Sequence, residues 1–192
     1  MIGNDFEQEI IALFNAIKTA YTINQISTKL NKAYPYVNKK VNEFIEDGIF
    51  KKLVVGKSYL CSINLANEKA IVLLTIHEIR KKESFIRKEK SYNYFLDNLN
   101  KLWKTVPISS VLIHDKSIHI ILDSIEDKNL LKKHLAEFRE FDFELHDKKS
   151  YQKYFLEHPE LVHKRIILKG YERYFETIAE IMDRLPIEVS KT

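Results

Sequence analysis

The sequence predicts an α+β protein in two parts, and three observations carry that reading. The segment Tyr21–Ile63 orders itself as two short helices, a turn and a basic hairpin. From Asn67 to about Lys90 one longer helical stripe follows. Beyond Ser91 helical stripes alternate with short apolar runs in the order αββαβ and then helices, the pattern of a small sheet covered by helices.

The elements of the first part follow in chain order. Over Asp5–Thr19 the residues Phe6, Ile10, Leu13, Phe14 and Ile17 fall on one face, which predicts a first helix packed under the next two. Thr22 stands where an N-cap belongs, ahead of Ile23, Ile26 and Leu30 at helical spacing. Pro35 suits the first turn of a new helix, since its missing N–H would have no partner there. That helix runs to about Asp47, with Val37, Val41, Phe44 and Ile45 inward and Tyr36, Asn38, Lys39, Lys40, Asn42 and Glu43 outward. Gly48 supplies the left-handed stop. Phe50–Val54 and Ser58–Ile63 flank Gly56-Lys57 and read as a hairpin.

This order is that of a winged helix-turn-helix, expected over residues 1–66. A module of this kind places its second helix in the major groove of duplex DNA while the hairpin touches the flanking backbone; some members take RNA or protein instead. The expectation is that Tyr36, Asn38, Lys39, Lys40 and Asn42 lie against the duplex, with Lys51, Lys52 and Lys57 on phosphates. Singly, each lysine is more simply a solvated side chain. The ordered combination is what points to a ligand.

Composition narrows the classes. The chain has 192 residues, 45% of them apolar, enough for one large core or two small ones. A formal net charge of +4 makes no polycation, so any argument for nucleic acid rests on where the lysines sit. Cys61 is the sole cysteine, which excludes an intrachain disulfide and a cysteine-based zinc site; a buried small hydrophobe is its simplest reading. No basic segment followed by an apolar run opens the chain and no window is long enough to span a bilayer, so a cytoplasmic protein without membrane contact is expected.

Residues 67–104 read as connecting helices. The first carries Ala70, Leu73, Leu74, Ile76 and Ile79 and ends in a cationic run from Arg80 to Lys90; it suits a cover, a linker or a homodimer contact. The second carries Tyr92, Phe95, Leu99, Leu102 and Trp103 and is stopped by Pro107. In 105–192, Ser110–His114 and Ser117–Asp123 form a hairpin about Asp115-Lys116, Ile125–Phe138 a helix and Phe141–His146 a third strand, with helices over Lys148–Leu156 and Gly170–Leu185.

The phrases GKSYLCSINLANEKA, SVLIH, SIHIILD, FDFELH and RIILKGYERYFETI, in that order, resemble an archaeal pairing of a winged helix with a minimal nucleotidyltransferase-like domain. That resemblance implies a closing strand and helix in RIILKGYERYFETI. It also implies a Gly-Ser turn after the first strand and an Asp-x-Asp pair on the second, which holds divalent metal in active members. Here SVLIHDK has no Gly-Ser, and the positions matching the aspartates are Ser117 and His119. A further family carboxylate would fall at Asp142 or Glu144. A hydroxyl and an imidazole do not anchor a magnesium pair. The implied second part is thus a scaffold without its catalysis, with no cofactor and no catalytic residue, serving as a dimer, partner or ligand module for a protein or a nucleotide.

Other chemistry finds little footing. His114, His119 and His146 sit on three expected strands and could meet Asp115 or Glu144 at a metal, yet solvated or hydrogen-bonded histidines are the simpler expectation, and none is assigned as a ligand. His158 and His163 lack the spacing that puts two imidazoles on one helix face. The sequence therefore points to a DNA-binding homodimer, a transcriptional regulator, against the alternative of a residual or altered nucleotidyltransferase recruited to its target by the winged helix.

Overall fold

The computed structural model describes residues 4–14, 19–56, 58–124, 126, 128–158, 161–184 and 188–189. It is a mixed α+β chain with two four-stranded sheets among the described residues. Its backbone divides into two compact units: the described residues up to His77 with those from Ala179 onward, and Glu78–Ile178. No helix of the described residues is long and apolar enough to cross a membrane.

In the first unit the helix caps decide the boundaries. Asn4 and Glu7 exchange side-chain and backbone hydrogen bonds to open α1 (Asp5–Leu13). The helix expected to run to Thr19 closes at Phe14 instead, and Thr19–Tyr21 forms strand β1, buried along its length. Thr22 and Gln25 make a second capping box for α2 (Ile23–Leu30), and Asn31 ends it at φ 50°. Helix α3 (Tyr34–Glu46) has Pro35 in its first turn, and Gly48 follows at φ 71°. Strands β2 (Phe50–Val55) and β3 (Ser58–Ile63) pair Val55 with Ser58 across a two-residue turn.

The core of this unit gathers Ile10, Ile11, Phe14, Ile26, Val37, Val41, Phe44 and Cys61, with the ring of Phe50 set 4.4 Å from that of Phe14 and 5.2 Å from that of Phe44. Burial pushes the Cys61 thiol up to about 11, as expected of a small apolar core residue. Strand β3 also pairs antiparallel with β1, and β8 (Glu188–Val189) adds in parallel on the far side of β1. Helix α4 (Glu68–Lys88) belongs to this unit as far as His77.

The second unit takes the rest of α4, then α5 (Ser91–Leu102), β4 (Ile108–His114), β5 (Ser117–Leu122), α6 (Lys128–Leu135), β6 (Asp142–Asp147), α7 (Lys148–Glu157), α8 (Leu161–Lys164), β7 (Ile166–Lys169) and α9 (Tyr171–Ala179). The expected final helix to Leu185 stops at Ala179; a short 3-10 turn, Met182–Arg184, follows, and Leu185 lies outside the described residues. Asp115 and Lys116 turn the β4–β5 hairpin at φ 44° and 74°. The sheet order is β6-β5-β4-β7, with β6 parallel to β5.

Alternation along the strands sorts the two faces of this sheet. Val111, Ile113, Ile118, Ile120 and Leu122 pack on Tyr92, Phe95, Leu99, Leu131, Leu135 and Phe138. The opposite face presents His114, His119, Glu144 and His146, toward the aromatic side of α7. Behind it lies a fully buried ion pair, Arg165 to Glu78 at 3.3 Å, with the guanidinium 5.0 Å from the ring centre of Tyr174.

Candidate functional site

The outward side of α3 and the β2–β3 ribbon form one connected polar surface. Helical spacing brings Asn38 and Asn42 together, and the Asn42 Nδ2 donates to Asn38 Oδ1 at 3.2 Å. The Tyr59 hydroxyl donates to Asn42 Oδ1 at 3.3 Å, and the Lys52 ammonium stands 4.0 Å from the centre of the Tyr59 ring. Lys39 is exposed one residue along the helix. Tyr36 is 55% exposed and stacks on Phe6, ring centres 4.3 Å apart, so α1 holds it in place.

The remaining expected contacts lie elsewhere. Lys40 reaches Glu43 at 2.6 Å and Glu7 at 3.3 Å, and those hydrogen bonds raise its pKa. It ties α3 to α1. Lys51 is exposed, but it pairs with Ser62 while Lys52 pairs with Cys61, so the two lysines point to opposite faces of the ribbon. Lys57 lies outside the described residues. The far end of the ribbon is more apolar than a phosphate-gripping hairpin requires, with Leu53, Val54 and Val55 at 46%, 70% and 53% exposure. Tyr59, which bridges helix and ribbon, was missed by sequence reasoning. Its signal was the alternation of Tyr59, Cys61 and Ile63, which places it on the ribbon face turned to the core and to α3.

A second cluster occupies the polar face of the other sheet. Parallel pairing sets Ser117 opposite Asp142, His119 opposite Glu144, and His146 two residues farther along the same face. His119 Nδ1 is 3.2 Å from His146 Nε2. Glu144 Oε2 is 3.7 Å from the former nitrogen and 3.6 Å from the latter. Strand β6 passes directly into α7, whose first turn is capped by Asp147 and Ser150, and this brings the Tyr154 ring 5.2 and 5.3 Å from the two imidazoles.

Burial, reinforced by His114, lowers His119 to about 4; burial, reinforced by His119, lowers His146 to about 4. Both rings are neutral at pH 7, and a neutral imidazole is the form that ligates a metal. His114 reaches Asp115 at 3.4 Å and stands apart, its ring centre 6.0 Å from that of His119. Ser117 and His119 thus share a face with Asp142 and Glu144, and His119 is 1% exposed. No protein-family model, no curated protein and no solved structure matches the chain.

Proposed function

We propose that this chain is a DNA-binding protein, a transcriptional regulator, that lays α3 along duplex DNA with the β2–β3 ribbon beside it. The observation that supports this most directly is the continuous run Asn38, Asn42, Tyr59, Lys52. It joins amides suited to base edges with a cation suited to phosphate on one surface, which a merely solvated helix has no reason to build. The element order α1-β1-α2-α3-β2-β3 is also that of a winged helix-turn-helix. On this reading the second unit is a dimer, partner or ligand module on a nucleotidyltransferase-like scaffold.

The test is a fluorescence-anisotropy titration of the full chain with labelled duplex DNA, first of mixed sequence and then of sequences selected from a random pool. Binding should weaken steeply with salt and should fall when Lys39 and Lys52 are together changed to alanine. Absence of binding, or binding indifferent to those two changes, overturns the reading. Preference for single-stranded RNA over every duplex would overturn it equally.

A further inference from the structure

We propose that His119, Glu144 and His146 form a binding site for one zinc-class divalent ion in the second unit. Three ligand atoms separated by 3.2, 3.6 and 3.7 Å have an equidistant point about 2.0 Å from each, which is the length of a zinc–imidazole bond and close to that of a zinc–carboxylate bond. An ion slightly off their plane reaches all three, and its fourth position is left for water or an incoming ligand atom. Two imidazoles and one carboxylate select a borderline transition metal over magnesium or calcium, which prefer sets made of oxygen. The set therefore differs from the magnesium site of the family that the sequence resembles.

The strand register supplies the geometry. Residues on one face of a parallel pair stand side by side, so the register His119 to Glu144 fixes two ligands, and the pleat delivers His146 as the third. Access is provided by Glu144, whose side chain is 44% exposed while that of His146 is 12% exposed.

A purely structural reading makes the pair an N–H···N hydrogen bond between neutral imidazoles, and the rings, tilted by 11°, allow it. His119 Nε2, which finds no hydrogen-bond partner among the described residues, is left so by either arrangement; what the hydrogen bond does not account for is Glu144 Oε2, which stands 3.7 and 3.6 Å from the same two nitrogens. An ion would take the place of the hydrogen shared by the two nitrogens, after a small rotation of the rings. Each imidazole would then keep its one N–H on the nitrogen facing away, so no net proton is released. The Tyr154 ring beside both imidazoles limits their rotation and partly excludes water from the ion.

The experiment uses the untagged full chain, stripped with a chelator and titrated with zinc by calorimetry and with cobalt(II) by visible absorption. One ion per chain is expected, with a dissociation constant of about a micromolar or below, and cobalt bands of the intensity of a four-coordinate site. His146→Gln and Glu144→Gln should each weaken zinc by more than about tenfold, since even outer-shell changes cost that much. His134→Gln, on the exposed face of α6, should leave affinity unchanged. Glu144 is half-exposed, so its variant should fold, and circular dichroism checks both. No stoichiometric uptake, or uptake that survives both ligand changes in folded protein, overturns the proposal.

Discussion

At the scale of single residues, the chain's few glycines divide sharply by what surrounds them. Gly170 sits at φ 76° between β7 and α9, and a Cβ added there would lie 2.1 Å from the Ser109 carbonyl oxygen and 2.8 Å from the Ser110 Cα. The obstacles are backbone, which cannot swing away, and the Ser110 hydroxyl donates to the Gly170 carbonyl at 2.8 Å across the same approach. Gly56 has a similar φ of 60°, yet a Cβ there meets nothing within 4 Å. Gly170→Ala should therefore cost about 2–5 kcal/mol, combining left-handed strain with overpacking, while Gly56→Ala should cost about 1–2 kcal/mol from strain alone. Denaturant unfolding of the two variants measures the contrast, and equal midpoints would contradict it.

Among elements, those with local signals were legible in the sequence. Thr22 marks the start of α2, Pro35 and Gly48 bracket α3, and Gly56 and Asp115-Lys116 sit at their hairpin turns, because caps and turns are chosen by a few adjacent residues. Strand β1 leaves no such signal: three residues are too few to show a period, and their strand character comes from pairing with β3, forty residues away in sequence. The meeting of His119 with Glu144 and His146 was unreadable in the same sense. It depends on the register of a parallel pair, where a slip of β6 by one residue would send Glu144 and His146 to the face away from His119. The same dependence on pairing makes Tyr59 matter. Tyr59→Phe keeps the ring under Lys52 but deletes the hydrogen bond to Asn42, so stability should fall by only about 0.5–1.5 kcal/mol. Duplex affinity should fall as well, since the Asn42 amide is no longer fixed; unchanged affinity would detach the ribbon from the reading surface.

For the molecule as a whole, the modest net charge of +4 means that the proposed attraction to DNA would come from a few placed cations, whose number can be read from salt. The outward lysines are not equivalent. Lys40 is spent on Glu7 and Glu43, and Lys51 points to the ribbon face opposite Lys52. If Lys39 and Lys52 each neutralise one phosphate, each contributes about 0.9 to the magnitude of the slope of log K against log salt. Lys52→Ala should lower that slope by about one unit, whereas Lys51→Ala should lower it by much less. Lys40→Ala should leave the slope unchanged and register as a loss of stability. Two copies on two half-sites would double each decrement, because every lysine would then count twice. An equal loss of slope for Lys51 and Lys52 would mean that the duplex wraps both faces of the ribbon, a docking in which α3 could not lie along the groove from its Asn42 side.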